Sequence, residues 1–293
     1  MVAHGKRRAL GQHFLKDQAL CLAIAQKALK EAQESGCTSL LEIGPGKGAI
    51  TREILNELKH YPGLQRFLLV EKDQKLGQSW SQSLTEQAQT HFSSTQLSVR
   101  VSDFLCLPQS EWLQNPPLAV VSNLPYSSGT AIFTRLAAHP EAIATLVLMF
   151  QAEVAQRLRA EPNTKAQGSL SVWTQNRWTV EKLWSVPPGA FSPPPLVQSE
   201  VVVLRRRTTP RIPFTTAPED QKVWQSFLKV CFSQKRKMLR SLLPWKRALE
   251  RSQVKETLRA EALSWEDWEK LYLAVRDELN LSTDHHPSTR RDP

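Results

Sequence analysis

The sequence predicts an α/β fold, in which a mostly parallel sheet carries helices on both faces, followed by a small all-helical domain. In the first half of the chain, short apolar runs typical of buried strands alternate with segments of helical periodicity, the pattern of parallel sheets. The length of 293 residues suits one full-size domain and a smaller one. Eight prolines between Pro187 and Pro218 interrupt regular structure and mark the transition.

Each predicted strand of the first domain is a short apolar run that ends in a turn or a polar residue. These strands are predicted at 39–43, 66–71, 96–101, 118–122 and 145–150. Helices are predicted over 18–31, and where Ile50, Ile54, Leu55 and Leu58 recur at helical spacing. The stretches 56–65 and 78–96 resemble insertions, helical or loop-like, and carry no recognisable chemistry.

The second half begins with a further strand predicted at 201–204, between two proline clusters. Helical periodicity resumes at Glu219, and residues 264–267 have the form of a capping box that opens a last helix. We therefore predict a full-size α/β first domain over 1–206, a helical domain over 207–281 and a disordered tail over 282–293.

Composition excludes several classes of protein. Apolar residues make up 41% and charged residues 23%, as in an ordinary globular protein. No apolar run approaches the ~20 residues that a membrane helix needs, and the N-terminus lacks the apolar stretch of a secretion signal. The four cysteines have neither zinc-site nor disulfide-framework spacing, so we expect no metal and buried free thiols in a cytoplasmic protein.

The net charge of +10 is concentrated in one part of the chain. Between Arg205 and Arg247 there are twelve Lys or Arg residues and only two acidic ones. A basic excess of this kind favours a polyanionic partner such as nucleic acid, although a solubilising charge is the alternative.

A glycine-rich turn follows the first predicted strand. Gly44, Gly46 and Gly48 have G-x-G-x-G spacing, which differs from the G-x-G-x-x-G of dinucleotide dehydrogenases, and Glu42 precedes them. This form suits S-adenosylmethionine as the ligand. At the ends of the next two strands, Glu71 is placed to accept hydrogen bonds from ribose hydroxyls, and Asp103 from the amino group of adenine.

The fourth strand ends in Asn123, Leu124, Pro125 and Tyr126. The amine of adenine is a poor nucleophile because its lone pair is delocalised into the ring. The Asn123 side-chain oxygen and the Leu124 carbonyl could accept both amine hydrogens and aim that lone pair at a methyl group. Pro125 would stiffen the turn, and Tyr126 could stack on the base. An ordinary strand-to-loop turn is the alternative.

With these motifs the chain resembles the KsgA/RsmA family of small-subunit (16S) ribosomal RNA adenine dimethyltransferases. The matching segments occur in family order at 11–15, 42–51, 71–73, 103, 123–126, 151–158, 186–188, 191–199 and 232–237. The resemblance implies a Rossmann-like methyltransferase domain that dimethylates two adjacent adenines near the 3′ end of small-subunit rRNA during ribosome biogenesis.

The resemblance also implies roles for individual residues. The implied cofactor-binding residues are His13, Leu15, Gly44, Gly46, Glu71, Asp103 and Asn123. The implied catalytic residues are Asn123, Leu124, Pro125, Tyr126 and Phe191, the last as a second aromatic that packs against the target base. For Phe191 alone, a loop anchor is the alternative.

RNA docking is assigned to a basic segment, residues 235–240. We predict that it is helical, with Leu239, Leu242 and Leu243 facing inward, so that the cations face outward. Lys235, Arg236, Lys237 and Arg240 would then contact RNA phosphates. A solvated helix face is the alternative.

Two other functions share this fold: a large-subunit rRNA adenine methylase that confers drug resistance, and a non-catalytic nucleic-acid-binding factor. The complete 123–126 motif argues against the latter. The Glu-Ile-Gly-Pro-Gly turn at 42–46 and the 232–237 segment favour the small-subunit enzyme over the former. We expect a cytoplasmic monomer that acts on small-subunit rRNA within a pre-ribosomal 30S particle, without metal or membrane.

Overall fold

The computed structural model describes residues 13–88, 95–212 and 218–283. It divides into two compact units, the first comprising Met1–Ala155 and Trp178–Arg207, the second Gln156–Arg177 and Thr208–Pro293. Residues 156–177, which the sequence analysis placed in the first domain, thus group with the second unit. Gly11, Gln12 and residues 284–293 of the expected disordered tail lie outside the described residues.

The first unit contains a seven-stranded sheet and a separate two-stranded pair. The strands are β1 Phe14–Leu15, β2 Ser39–Ile43, β3 Arg66–Glu71, β4 Gln96–Val101, β5 Leu118–Asn123, β6 Ile143–Gln151, β7 Trp178–Val186, β8 Phe191–Ser192 and β9 Ser199–Arg206. The large sheet has the order β4-β3-β2-β5-β6-β9-β7. The first five of these strands are parallel, and β9 is antiparallel to both of its neighbours. The predicted α/β fold class is confirmed.

The burial of the central strands explains why the sequence predicts them. β2 and β3 are buried along their whole length, and β5 and β6 at all but the last residue. Helices cover both faces of such a sheet, so its strands are continuous apolar runs.

Three strands were not predicted. β7 is an edge strand whose ends, Trp178 and Val186, are buried, while its middle carries the exposed Glu181 and Lys182. It therefore lacks a regular alternation. β1 and β8 have two residues each and pair antiparallel, with Phe14 opposite Ser192, so neither is long enough to show a period.

The helices of the first unit connect the strands of the sheet. They are α1 Gln18–Glu34, α2 Ala49–Glu57, α3 Gln74–Ala88, α4 Gln109–Trp112 and α5 Gly129–Ala137, while α6 Ala152–Leu158 leads into the second unit. Asp17 caps α1 by accepting a hydrogen bond from the Leu20 backbone N–H at 3.1 Å. The stretch 78–96, which resembled an insertion, supplies most of α3.

The second unit is helical. Its helices are α7 Ser169–Arg177, α8 Pro218–Cys231, α9 Leu239–Leu242, α10 Lys246–Arg251 and α11 Trp265–Thr283. Buried aromatic side chains, including Trp224, Phe227 and Trp268, form its core. The capping box is confirmed: the Ser264 hydroxyl accepts from the Asp267 N–H at 3.1 Å, and the Asp267 carboxylate from the Ser264 N–H at 3.0 Å.

The helix predicted at 235–240 is wrong for residues 235–238. α8 ends at Cys231, and the Ser233 hydroxyl donates to the Val230 carbonyl at 2.8 Å, satisfying an acceptor at the helix end. The chain then turns, with the Lys237 N–H bonded to the Gln234 carbonyl at 3.0 Å, and a short helix begins at Leu239. The Ser233 bond thus ends the preceding helix, and residues 235–237 lie in the turn before the next one.

The expectation of buried thiols is wrong at one position. All four cysteines are free; Cys21, Cys37 and Cys231 are buried, whereas Cys106 is exposed. Cys106 lies in the turn that follows Asp103, whose carbonyl accepts its backbone N–H at 2.9 Å. Its position in a surface turn leaves the thiol open to solvent.

Candidate active site

A cavity of about 320 Å³ lies in the first unit, at the carboxyl ends of β2, β3, β4 and β5. This is the edge at which parallel α/β sheets bind ligands. Ten of the predicted site residues line it: His13, Leu15, Gly44, Gly46, Glu71, Asp103, Asn123, Leu124, Pro125 and Tyr126. Phe191 does not line it, since its side chain is 1% exposed and packs in the hydrophobic core.

The glycine turn gives the cavity a wall of bare backbone. Gly44, Gly46 and Gly48 have φ values of +69°, +56° and +81°, a region that other residues adopt only with strain. A Cβ atom on Gly46 would lie 3.1 Å from the Phe14 ring. The turn leads directly into α2, whose first residues also line the cavity.

Glu71 shapes this turn and also faces the cavity. Its Oε2 accepts a hydrogen bond from the Gly46 N–H at 2.9 Å, and its Oε1 from the Asp73 N–H at 2.8 Å. The side chain is 3% exposed. Each carboxylate oxygen has a second lone pair, so the group can still accept from a ligand hydroxyl.

Asp103 supplies a second acceptor at the next strand end. Its Oδ1 accepts from the Leu105 N–H at 3.0 Å, and its Oδ2 from the Lys72 ammonium at 2.7 Å. The hydrogen bond from Lys72 lowers the pKa of Asp103. The carboxylate is therefore ionised at neutral pH and able to accept from an amino group.

Glu42 is a buried carboxyl group on the cavity wall. It is 2% exposed, and its Oε2 has no hydrogen-bond partner among the described residues. Burial, with a smaller contribution from the neighbouring Glu71 carboxylate, raises the pKa of Glu42 to about 8. Glu42 thus lies protonated in the folded protein at neutral pH, and a cationic ligand would favour its ionisation.

This raised pKa predicts a pH-dependent stability. The folded protein keeps the Glu42 proton up to about pH 8, whereas the unfolded chain releases it near pH ~4.3. Stability is therefore lost as the pH rises between these values. We expect Glu42→Gln to gain stability relative to wild type between pH 5 and pH 8, as measured by urea unfolding. The exposed Glu111→Gln is the control, and a pH-independent difference for Glu42→Gln would contradict the assignment.

Asn123, the last residue of β5, has a side-chain amide whose oxygen can accept a hydrogen bond from a ligand. The Asn123 Nδ2 donates to the His13 carbonyl at 3.3 Å, which leaves its Oδ1 available at the cavity wall. The Tyr126 hydroxyl is 2.5 Å from the Ser199 Oγ, and its ring centroid is 5.4 Å from that of His13. Burial raises the pKa of Tyr126, so the phenol is neutral at physiological pH.

Residues near the N-terminus close one side of the cavity. β1 pairs with β8, the His13 ring nitrogen Nδ1 is 2.8 Å from the Pro193 carbonyl, and the Lys16 N–H donates to the Ala190 carbonyl at 2.9 Å. The Lys47 ammonium lies 4.9 Å from the centre of the Phe14 ring. Phe14 and Lys47 also line the cavity and were not predicted to do so; the proximity of Phe14 to the glycine turn depends on this long-range pairing.

The four predicted RNA-binding residues lie in the second unit. Lys235, Arg236, Lys237 and Arg240 are all exposed, and Arg240 is 3.6 Å from the Glu256 carboxylate. Across the described ranges, no helix is long and apolar enough to span a membrane, and no cluster of potential ligands could hold a metal ion.

The cavity fits S-adenosylmethionine by the chemistry of its walls. Glu71 can accept from hydroxyls, Asp103 from an amine, and the bare glycine backbone permits close approach of a ligand. The buried Glu42 can ionise beside a cationic ligand and then pair with its charge.

Fold and site together define an S-adenosylmethionine-dependent methyltransferase. Residues 3–277 match the family model "Ribosomal RNA adenine dimethylase", and the chain belongs to that family. It is 37% identical over 270 residues to "Ribosomal RNA small subunit methyltransferase A" of Ruegeria sp. (strain TM1040), covering 89% of each chain. It is 36% identical to the protein of the same name from Acaryochloris marina, covering 96% of this chain and 98% of that protein.

Solved structures share the fold. A dimethyladenosine transferase from Plasmodium falciparum aligns with a TM-score of 0.69 and 22% identity, over 91% of this chain and 98% of its own. The 23S rRNA methyltransferase ErmE aligns with a TM-score of 0.61 and 23% identity, over 90% and 99%. The shared fold therefore extends over nearly the whole chain.

Proposed function

We propose that this protein transfers methyl groups from S-adenosylmethionine to the N6 amines of two adjacent adenines near the 3′ end of small-subunit (16S) rRNA, two to each. The relatives named small-subunit methyltransferases support this substrate. The observation that carries the proposal is that the Asn123–Tyr126 turn and the glycine turn line the same cavity. Acceptors for the amine and a site for the methyl donor thus share one cavity.

Asn123 and Leu124 orient the attacking amine in this reaction. The Asn123 Nδ2 is held by the His13 carbonyl, so its Oδ1 and the Leu124 carbonyl are the acceptors for the amine hydrogens. Accepting both hydrogens directs the nitrogen lone pair toward the methyl group. When bound, the cofactor would supply a methyl group on a positively charged sulfur: the N–C bond would form as the S–C bond breaks, the sulfur would leave as a neutral thioether, and the amine would release one proton to water, so no strong base is required of the protein.

Tyr126 and Phe191 have different relations to the target base. Tyr126 lies on the cavity wall, anchored by its contact with Ser199, and can present its ring to an adenine face. Phe191 is a residue of β8, opposite Leu15 of β1, and its side chain is buried in the hydrophobic core. Phe191 can therefore contact the base only if β8 moves. If β8 does not move, Phe191 supports the neighbouring Ser192, which lines the cavity.

We further propose that the protein acts as a cytoplasmic monomer on small-subunit rRNA within a pre-ribosomal 30S particle. The second unit would contribute phosphate contacts through Lys235, Arg236, Lys237 and Arg240. The local excess of positive charge and the exposure of all four side chains support these phosphate contacts.

Replacing Lys235, Arg236 and Lys237 with alanine should weaken RNA binding and flatten its salt dependence. Each lost phosphate contact reduces the slope of the log binding constant against log salt concentration by roughly 0.7–0.9 in magnitude. With three cations removed, we expect the slope to fall by up to about three times that amount. RNA binding measured at several salt concentrations tests this. A matched control replaces three exposed lysines of the first unit, Lys30, Lys59 and Lys75. Equal slopes for the two triple variants would exclude specific docking by residues 235–237.

Methylation of purified ribosomal particles tests the proposed function. Small-subunit particles and large-subunit rRNA from cells that lack this protein are incubated with enzyme and cofactor, and adenine methylation is mapped by mass spectrometry. We expect dimethyladenine at two adjacent positions of the small-subunit RNA. Modification of the large-subunit RNA would indicate the drug-resistance type of methylase, and no methyl transfer would indicate a non-catalytic binding factor.

A further inference from the structure

The glycine turn is held from outside the cavity by a residue of α3. The indole Nε1–H of Trp80 donates to the Gly46 carbonyl at 2.9 Å, and the side chain is 7% exposed. The Gly46 N–H is bonded to the Glu71 carboxylate at 2.9 Å. Both polar groups of the Gly46 peptide backbone are therefore occupied by buried side chains, one from each side of the turn.

The same indole packs against the next glycine of the turn. A Cβ atom built on Gly48 would lie 2.0 Å from Trp80 Cζ2 and 2.5 Å from Cη2. This is an overlap, so the ring fills the space that a side chain at position 48 would need. Trp80 thus contacts the turn at Gly46 by a hydrogen bond and at Gly48 by close packing.

We propose that Trp80 is a positioning residue for S-adenosylmethionine, acting through the Gly46 backbone. Glycine loses more conformational freedom on ordering than any other residue, so a turn with three glycines has many alternative conformations. The Trp80 bond and the packing on Gly48 select the conformation in which Gly46 faces the cavity. The cofactor then binds an ordered turn and does not bear the cost of ordering it.

The chain offers a matched control in Trp178. Its indole Nε1–H also donates to a backbone carbonyl, that of Ala137, at 3.0 Å, and its side chain is fully buried in the same unit. Trp178 does not line the cavity and does not touch the glycine turn. Trp178→Phe and Trp80→Phe therefore each remove one buried indole hydrogen bond and keep most of the apolar contact.

Calorimetric binding of S-adenosylmethionine without RNA tests the proposal. We expect Trp80→Phe to weaken cofactor affinity about 3- to 10-fold, the range for loss of one hydrogen bond, and Trp178→Phe to leave it unchanged. A merely structural role would lower the unfolding temperature of both variants and the affinity of neither. Equal affinities for Trp80→Phe and wild type would overturn the proposal.

Hydrogen exchange in the wild-type protein tests the same proposal and does not depend on the folding of any variant. The indole N–H resonances are assigned by NMR, and their hydrogen exchange is followed with and without saturating cofactor. We expect slower exchange at Trp80 when cofactor is bound, and no change at Trp178. Equal behaviour of the two indoles would contradict the proposal. The inference rests on the cofactor site of the proposed function, and wild-type affinity for the cofactor checks that premise separately, without rRNA.

Discussion

Asn123→Ala should lower the rate of methyl transfer about 100-fold or more while the protein remains folded. The substitution removes the side-chain oxygen that accepts an amine hydrogen, and misplacement of reacting groups costs this much in rate. It also removes the weak hydrogen bond to the His13 carbonyl. Single-turnover methylation of small-subunit particles measures the effect directly, since it separates the chemical step from product release.

The control for Asn123→Ala is the affinity of the variant for S-adenosylmethionine. Calorimetry should show S-adenosylmethionine affinity within a few-fold of wild type, because Glu71 and Asp103 are intact. Tyr126→Phe provides a comparison at the same turn, since it removes the hydroxyl contact to Ser199 and keeps the ring. We expect a much smaller loss of rate for it. A single-turnover rate for Asn123→Ala within about threefold of wild type would exclude the orienting role.

Glu71→Ala should weaken S-adenosylmethionine binding by ~1–3 kcal/mol, about 5- to 150-fold in the dissociation constant. Two losses contribute. The carboxylate no longer accepts from the ligand hydroxyls, and the Gly46 N–H loses the partner that holds the turn. Calorimetric titration of the purified protein with cofactor measures the change.

Two further variants separate these contributions. Glu71→Gln keeps one oxygen that can accept from the Gly46 N–H, so we expect an intermediate loss of affinity. Glu111→Ala removes an exposed carboxylate that pairs with Arg100 at 3.1 Å on the surface and should leave cofactor affinity unchanged. An unchanged dissociation constant for Glu71→Ala would remove Glu71 from the cofactor site.

The fold class and the central strands were predictable because their signals are local. β2, β3, β5 and β6 are buried runs of apolar residues, and a buried parallel strand needs nothing else to be recognised. The glycine turn was predictable for a similar reason, since three closely spaced glycines permit the positive φ values that the structure shows. Strand ends followed by Glu71, Asp103 and Asn123 then predicted one cluster, because parallel strands end at one edge.

The remaining parts of the site depend on contacts between residues distant in sequence. The β1–β8 pair has two residues on each strand, so its existence is decided by what surrounds it. Phe191 has the sequence context of a base-contacting aromatic, yet its burial follows from packing in the core. The stretch 78–96 carried no recognisable motif, although Trp80 within it bonds to the glycine turn.

The sequence by itself determined the α/β class, the order of the motifs and the residues that meet at the sheet edge. Each of these depends on backbone conformation or burial within a few residues. Only the tertiary structure decided the burial of Phe191, the turn at 235–237, the grouping of 156–177 with the helical unit and the contact of Trp80 with Gly46. The physical reason is that a side chain's neighbours are selected by packing of the whole unit, and close packing has no short-range period in the sequence.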